Sequence, residues 1–375
     1  MSFELITKLA MPKWGLSMRE GTLVEWLVEE GMELQQGSDV AEVETEKING
    51  IVESPVAGKL RRLVGKVGET MPVGSLLGVI ADDSVPDTEI DAYIAEFHSS
   101  FVLEQAEEDA GPASASVEVA GRTLRYARYG EGDETLVLLH GFGGDLNNWL
   151  FNVDALSTGR TVLALDLPGH GGSSKEIGDG SVDGFVTALR GFLDTVGNER
   201  VHLAGHSFGG AVAGAFAVAH PQRVASLILI GSAGFGDEID GEFVEGFINA
   251  TNRRELKPHL ERLFVDGSVV TRQLVDDVLK FKRLDGAEQA LRTITDTVFP
   301  AGRQSARIGE ISPSIPTLVI WGREDRIIPS AHAAAAPEHA RVELLEGQGH
   351  SPHMEASGEV NRLIEAFISS HGSPA

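Results

Sequence analysis

The chain has 375 residues, enough for one to three domains, and its 42% hydrophobic and 23% charged content is typical of a soluble globular protein. The net charge of -25 argues against nucleic acid and anionic membranes as partners. The chain has no cysteine, which excludes disulfides and Cys-based metal sites. It shows neither a signal peptide nor an apolar run near the ~20 residues of a membrane span, so we expect a cytoplasmic protein.

Residues 1–81 contain an internal repeat. Gly21-Thr22-Leu23 corresponds to Gly58-Lys59-Leu60, and both halves consist of short β-rich runs broken by Gly and Pro. Two similar half-sheets packed face to face would form a small all-β sandwich or flattened barrel. Lys47 lies where the first half meets the second, so a tight turn there would hold it out to solvent.

Residues 82–116 differ sharply from the preceding segment, because they contain many acidic residues and no Lys or Arg. Their apolar side chains recur at helical spacing, which predicts an amphipathic acidic helix over residues 87–106. Gly, Pro, Ala and Ser then predict a flexible stretch over residues 107–116. We expect the helix to dock within its own chain rather than on a partner.

From residue 117 onward, buried-strand runs alternate with helical patterns, which predicts an α/β domain with a mostly parallel sheet over residues 117–375. The predicted strands are Leu136–Leu139, Val162–Leu165, Val201–Ala204, Leu227–Ile230, Leu318–Trp321 and Val342–Leu345. Residues 235–305 interrupt the alternation with charged helical patterns, so they form a predicted cap inserted over the sheet.

The strongest chemical motif is Gly205-His206-Ser207-Phe208-Gly209. It follows a predicted strand and precedes a helix rich in small residues, which is the context of a nucleophile elbow. A serine hydroxyl needs a base to remove its proton before it attacks a carbonyl carbon. Ser207 is therefore the predicted nucleophile, and its base is expected later in the chain.

Asp325 follows the strand that ends at Trp321, and His350 follows Glu346-Gly347-Gln348-Gly349. The order Ser, Asp, His is that of α/β-hydrolase triads, so His350 is the predicted base and Asp325 orients it. Glu324 competes with Asp325 for this role, and His353 competes with His350. The remaining motif histidines are interpreted as structural or loop residues: His140, His170, His202 and His206.

An acyl-transfer site also needs two backbone N–H groups directed at the developing oxyanion. The N–H of Phe208, directly after the nucleophile, is one candidate. The other is expected in His140-Gly141-Phe142-Gly143-Gly144, after the first strong strand, and we choose Phe142. Asp145 opens the next segment and is interpreted as a helix cap rather than a catalytic acid.

With these motifs in place, residues 117–372 resemble the α/β-hydrolase superfamily. Residues 1–81 resemble a lipoyl domain of 2-oxo-acid dehydrogenase complexes, through the stretch Met11–Leu23 and through Glu44-Thr45-Glu46-Lys47. In that family the lysine carries lipoate in amide linkage. Biotin carriers favour Met on both sides of the lysine, whereas Lys47 lies between Glu46 and Ile48, which favours lipoate.

The combination resembles the E2 component of acetoin dehydrogenase complexes, a dihydrolipoamide acetyltransferase. That resemblance implies transfer of an acetyl group from lipoyl-Lys47 to coenzyme A. It also implies three protein partners: a thiamine-diphosphate-dependent E1, a dihydrolipoamide dehydrogenase E3 and a lipoate-attachment enzyme. The alternatives are a hydrolase of ester, thioester or carbon–carbon bonds with an appended lipoyl domain, and a non-enzymatic carrier. Arg253, Arg254 and Lys257 form a basic cluster, interpreted as a solvated helix face with a phosphate contact as the alternative.

Overall fold

The computed structural model describes residues 6–12, 20–44, 49–109 and 114–371. The chain divides into two compact units, Met1–Gly111 and Pro112–Ala375. None of the helices in these described ranges combines the length and apolar character needed to cross a bilayer. Lys47, the predicted lipoate attachment site, lies outside the described residues.

The first unit contains two four-stranded antiparallel sheets. Their orders are β1-β8-β6-β3 and β5-β4-β2-β7. The buried side chains between them include Leu23, Val40, Val43, Leu60 and Leu77, which come from both halves of the repeat. The predicted all-β sandwich is therefore confirmed. Its strands are β1 Ile6–Ala10, β2 Glu20–Trp26, β3 Glu33–Leu34, β4 Asp39–Glu44, β5 Asn49–Glu53, β6 Gly58–Leu63, β7 Thr70–Pro72 and β8 Leu76–Ala81.

The connection that contains Lys47 joins two paired strands. Strands β4 and β5 run antiparallel, with Glu44 opposite Asn49 at the last described pair. Residues 45–48 are thus the whole connection between these strands.

The acidic segment forms helix α1, Asp87–Asp109. Ile90 is fully buried against Leu76 and Val79 of β8, and Arg61 contacts the Asp87 carboxylate at 2.8 Å. The helix therefore packs on the first unit, through apolar contacts and ion pairs. The structure differs from the flexible stretch predicted over residues 107–116, because the helix continues to Asp109 and a paired strand begins at Ser114.

The second unit is built on an eight-stranded sheet of order β16-β15-β14-β13-β11-β12-β10-β9. The six predicted strands are present and parallel, and two antiparallel strands at one edge were not predicted. The strands are β9 Ser114–Val119, β10 Arg122–Tyr129, β11 Thr135–Leu139, β12 Thr161–Leu165, β13 Val201–His206, β14 Val224–Ile230, β15 Thr317–Gly322 and β16 Arg341–Leu345.

Helices cover both faces of this sheet. Phe192 and Phe216 pack on one face, and Trp149 and Phe367 pack on the other. The helices are α2 Val153–Leu156, α3 Val182–Thr195, α4 Phe208–Ala219, α5 Gly241–Asn249, α6 Arg253–Glu261, α7 Arg272–Lys282, α8 Ala287–Val298, α9 Pro352–Glu355 and α10 Ser357–His371. Four of them, α5 to α8, lie between β14 and β15, so the predicted α/β-hydrolase fold with an inserted helical cap is confirmed.

Candidate active site

Ser207 occupies the sharp turn between β13 and α4. Its backbone has φ 52° and ψ -116°, a conformation disfavoured for any residue with a Cβ. The Ser207 N–H donates to the Ile230 carbonyl at 2.9 Å, and its own carbonyl accepts from the Ala233 N–H at 3.0 Å. These bonds to the neighbouring strand end hold the strained turn in place.

The glycine at position 209 permits this turn to approach the sheet closely. A Cβ built on Gly209 would lie 2.5 Å from the carbonyl oxygen of Leu139, which no side chain tolerates. The elbow therefore packs directly against the end of β11. This contact places Ser207 beside the loop after β11, where Phe142 lies.

The imidazole of His350 is paired with the carboxylate of Asp325. Its Nδ1 lies 2.8 Å from Asp325 Oδ2, and both side chains are almost completely buried. An ionised carboxylate only accepts, so Nδ1 carries the proton and Nε2 is left as the acceptor. A histidine in this tautomer is able to take a proton from a nucleophile at Nε2.

Backbone and indole donors fix the orientation of the Asp325 carboxylate. Oδ1 accepts from the N–H groups of Ile327 at 2.8 Å and Ile328 at 3.0 Å. Oδ2 accepts from Trp321 Nε1 at 2.9 Å in addition to its contact with His350. Four donors therefore saturate one buried carboxylate, which fixes the position of the His350 ring.

Gly231 and His206 lie close both to the Ser207 turn and to the His350–Asp325 pair. A Cβ built on Gly231, one residue after the acceptor of the Ser207 N–H, would lie 3.4 Å from His350 Nδ1 and 3.6 Å from Asp325 Oδ2. His206, directly before the nucleophile, donates from Nε2 to the His350 carbonyl at 2.9 Å. The fold thus brings the three predicted residues of the triad to the same end of the sheet.

Glu324 and His353, the alternatives to Asp325 and His350 as triad residues, occupy different environments. Glu324 is solvent-exposed and contributes its backbone N–H to the Gln348 carbonyl at 3.0 Å. His353 is fully buried, and neither of its ring nitrogens has a hydrogen-bond partner among the described residues. Neither of the competing side chains makes the Asp–His contact that Asp325 and His350 make.

The loop of residues 140–144 lies beside the nucleophile. A Cβ built on Gly141 would be 3.2 Å from Ser207 Cβ. Within the described ranges, neither the Phe142 N–H nor the Phe208 N–H donates to a protein acceptor. Asp145 caps the short helix after this loop, as predicted, by accepting from the Asn147 N–H at 2.9 Å.

His140 ties this loop to the neighbouring loop after β12. Its Nε2 accepts from the Leu167 N–H at 3.0 Å, so its Nδ1 donates to the Gly141 carbonyl at 2.8 Å. Burial lowers the pKa of His140, and it lowers the pKa of His170, whose ring lies 4.9 Å away, well below its usual value. Both histidines are therefore neutral structural residues, in line with their interpretation from sequence.

A second group of buried histidines lies behind the base. The His206 ring is 4.8 Å from the His350 ring and 4.4 Å from the His353 ring. Burial lowers the pKa of His353 to about 3, and burial followed by the neighbouring histidines lowers the pKa of His206 well below its usual value. A positive charge is thus excluded from His206 and His353 at neutral pH.

These shifts predict a loss of stability in acid. The unfolded state takes up a proton at His353 below pH ~6.5, whereas the folded state does so only near pH 3. Stability from this residue is complete above pH ~6.5 and falls as the pH drops toward 3. We expect the His353→Leu variant, which loses no hydrogen bond, to retain about 2–3 kcal/mol more of its pH 7 stability than the wild type at pH 4.5.

Urea unfolding of both proteins at pH 7 and at pH 4.5 tests this expectation. The variant should match the wild type within about 1 kcal/mol at pH 7, because Leu and His have similar volumes. Equal acid sensitivity of the two proteins would show that His353 is protonated as easily in the folded state as in the unfolded one.

The cap contacts the Phe142 loop through aromatic side chains. The Phe142 ring lies 5.8 Å from Phe247 of α5 and 5.8 Å from Phe299, which comes directly after α8. Lys282 of α7 donates to the carbonyls of Phe247, Ile248 and Ala250, and burial lowers its pKa to about 8. Lys282 therefore holds the end of α5 in place by hydrogen bonds, and this fixes the Phe247 ring against Phe142.

Comparison with known proteins agrees with this architecture. A family model described as alpha/beta hydrolase fold matches residues 134–357, and one described as biotin-requiring enzyme matches residues 7–80. The dihydrolipoyllysine-residue acetyltransferase component of the acetoin cleaving system of Pseudomonas putida is 48% identical over 98% of this chain and 99% of its own length. The chain belongs to this acetyltransferase family.

Other similar proteins fit the same assignment. The component with the same description from Cupriavidus necator is 46% identical over 97% of each chain. Among solved structures, a meta-cleavage product hydrolase from Pseudomonas fluorescens IP01 superposes with a TM-score of 0.62 at 26% identity. It covers 68% of this chain and 97% of its own, so the solved structure corresponds to the α/β unit.

Several residues that build the site were not predicted from the sequence. Trp321 was expected only as a strand residue, yet its indole holds Asp325. Lys282 and the His206 contact with the His350 carbonyl were not anticipated either. The position of Trp321 four residues before the aspartate is compatible with this contact, but the sequence carried no signal for Lys282, because its partners are backbone carbonyls.

Proposed function

We propose that this chain transfers an acetyl group from lipoate on Lys47 to coenzyme A, with Ser207, His350 and Asp325 as the catalytic triad. The observation that carries the proposal is the buried His350–Asp325 pair, 2.8 Å apart, beside the strained turn of Ser207. The lipoyl-type first unit supports an acyl donor carried on the same chain. The names of the two acetyltransferase relatives support acetyl as the group that is moved.

The first unit has the features that a lipoyl carrier needs. Its two-sheet fold is compact, and the short β4–β5 connection contains the lysine. The Lys47 amine would hold lipoate in amide linkage, and the lipoyl group would supply acetyl as a thioester. A lipoate-attachment enzyme would recognise this connection and the strands beside it.

The first half-reaction uses the His350 tautomer with the proton on Nδ1. Ser207 Oγ attacks the thioester carbonyl carbon while His350 Nε2 accepts the hydroxyl proton. The N–H groups of Phe142 and Phe208 stabilise the negative charge on the carbonyl oxygen. The carbon–sulfur bond then breaks, and His350 returns the proton to the leaving sulfur, which leaves an acetyl ester on Ser207.

The second half-reaction reverses these roles with a different thiol. His350 takes the proton from the coenzyme A thiol, and the sulfur attacks the Ser207 ester. The bond between the carbonyl carbon and Oγ breaks, and Ser207 recovers its proton from His350. Water competes with the thiol for the ester, so Phe247 and Phe299 would protect it by covering the Phe142 loop.

The partners are part of the same proposal. A thiamine-diphosphate-dependent E1 would load the first unit with the acetyl group, and a dihydrolipoamide dehydrogenase E3 would restore the oxidised carrier. The names of the relatives place those proteins in acetoin cleaving systems. The proposed location of the reaction is the cytoplasm.

Hydrolysis is the second candidate function. The likeness of the α/β unit to a meta-cleavage product hydrolase favours it, because that enzyme has the same fold. A triad is able to activate water as well as a thiol, so the triad does not by itself decide the acceptor. The reaction products distinguish acetyl transfer from hydrolysis.

The decisive experiment supplies the purified chain with acetyl-CoA and free dihydrolipoamide, which runs the reaction in reverse. Acetyl-dihydrolipoamide and free acetate are both quantified over time. We expect acetyl-dihydrolipoamide to be the main product. Acetate as the main product would establish a hydrolase with an appended lipoyl arm, and failure of a fluorophosphonate to label Ser207 would point to a non-enzymatic carrier.

A further inference from the structure

A cavity of about 530 Å³ lies on the cap, between the start of α6 and the end of α7. Its lining includes four cationic side chains, Arg253, Arg254, Lys280 and Arg283, but a single carboxylate, Asp276. The whole chain has a net charge of -25, so this is a local reversal of sign. The volume is within the ~300–1,000 Å³ range of small-molecule sites.

Two of these cations have no carboxylate partner among the described residues. Arg253 forms a two-pronged contact with Asp276, and Lys280 contacts Asp277 at 3.3 Å. In the described part of the chain, Arg254 and Arg283 form no ion pair, although both line the cavity. The Arg253–Asp276 pair neutralises the cavity's carboxylate, so the remaining charge is positive and available to an anion.

The free cations are guanidinium groups, whose planar fork of donors matches the oxygens of a phosphate. Asn252 and the buried Leu279 also line the cavity, which gives it a polar and an apolar wall beside the charges. Such a mixture suits a nucleotide that carries phosphates better than it suits a simple inorganic anion.

The position of the cavity relates it to the candidate active site. Arg283 comes directly after Lys282, which bonds the last carbonyls of α5, and Arg253 begins the next helix. Phe247 of α5 packs on Phe142, and Phe281 of α7 stacks on His170 with ring centroids 6.2 Å apart. The helix α7 therefore contributes both to the basic cavity, through Lys280, and to the aromatic contacts near the Phe142 loop, through Phe281.

We propose that this cavity binds the phosphates at the nucleotide end of coenzyme A. The ligand carries its thiol and its phosphates at opposite ends of a long pantetheine arm, so separate protein sites must hold them. A strongly acidic protein repels a polyanion over most of its surface, and a local cluster of unpaired arginines overcomes this repulsion. The inference rests on the proposed transfer to coenzyme A and replaces the solvated-face interpretation of Arg254.

The test measures binding and catalysis in the full-length protein with Arg254→Ala and Arg283→Ala, singly and together. Arg272→Ala is the matched control, because Arg272 is an exposed cation on α7 that forms no ion pair in the described ranges and does not line the cavity. Calorimetry measures the binding of adenosine 3′,5′-bisphosphate, coenzyme A and inorganic phosphate, and kinetics measure acetyl transfer with coenzyme A and 3′-dephospho-coenzyme A.

We expect each single variant to weaken binding of coenzyme A and to raise its KM by about tenfold or more, with kcat retained, because each loses a charge-assisted hydrogen bond. The KM for dihydrolipoamide should not change, and Arg272→Ala should behave as wild type. A smaller loss with 3′-dephospho-coenzyme A would assign the site to the 3′-phosphate, and an equal loss to the diphosphate. Both of these results support the proposal.

Unchanged affinity and KM for coenzyme A in the double variant would overturn the proposal, as would equal losses in Arg272→Ala. Equal affinity of the cavity for inorganic phosphate and for adenosine 3′,5′-bisphosphate would also overturn it. If the wild type binds coenzyme A with arginine dependence but does not transfer acetyl, then the proposed function fails and the binding site stands. If transfer is normal in all variants, the binding site fails and the function stands.

Discussion

Replacing Ser207 with Gly is expected to abolish acetyl transfer and to stabilise the second unit at the same time. The wild-type residue has φ 52° and ψ -116°, which costs about 1–3 kcal/mol for a residue with a Cβ. Glycine adopts this conformation without strain, although its more flexible unfolded chain offsets part of the gain. We expect a net stabilisation of about 1–2 kcal/mol and a rate at least ~10³-fold lower.

Ser207→Ala is the matched control for this experiment. It also removes the nucleophile but keeps the Cβ, so it should lose the activity without gaining stability. Calorimetry of the full chain, with the transition of the second unit resolved, measures the stability of all three proteins. An active Ser207→Gly protein would refute the covalent step, and equal stability of the two variants would show that the turn stores no strain.

Replacing Asp325 with Asn is expected to lower the rate of acetyl transfer by about 10⁴-fold with little change in fold. The wild-type carboxylate accepts four hydrogen bonds: two backbone N–H groups at Oδ1, and Trp321 Nε1 and His350 Nδ1 at Oδ2. An asparagine must keep its oxygen at the position with two N–H donors. Its NH₂ group then faces the donors of Trp321 and His350.

The His350 ring relieves this conflict by moving its proton from Nδ1 to Nε2, so that Nδ1 accepts from the amide. That tautomer is unable to take the proton of Ser207, which explains the expected loss. Glu324→Gln makes the same chemical change at the adjacent, exposed position and should keep wild-type rates. Initial rates at saturating substrates test both variants, and a loss below tenfold in Asp325→Asn would remove Asp325 from the mechanism.

Periodicity predicted those parts of the fold whose side chains are buried in a regular pattern. Five of the six parallel strands are fully or almost fully buried and produced clear apolar runs, and Ile90 with its neighbours marked α1. The sixth, β16, is partly exposed and was found from the apolar residues Val342, Leu344 and Leu345. Strands β9, at the edge, and β10, beside it, were missed because they are only partly buried and have a mixed sequence such as Arg122–Tyr129. These two strands are recognised by their antiparallel pairing with each other, which their composition does not reveal.

The site was predictable where chemistry demands a particular side chain in a particular context. Ser207, Asp325 and His350 could be chosen because their motifs end strands of one parallel sheet, and the carboxyl ends of such strands meet at one edge. The supporting contacts could not be chosen. His206 and Lys282 contact backbone carbonyls, and Trp321 contacts the Asp325 carboxylate. Such contacts depend on distances that no linear spacing encodes.

The cap begins and ends at adjacent strands of the sheet, β14 and β15, which are directly hydrogen-bonded to each other. An insertion between neighbouring strands leaves the strand order and the rest of the sheet unaltered. A different helical insertion could therefore replace the cap without changing how the strands of the domain are connected. Ser207, Asp325 and His350 all lie outside it. Exchange of the cap alone is therefore a route by which the same catalytic triad could transfer its acyl group to a different acceptor, in evolution or in the laboratory.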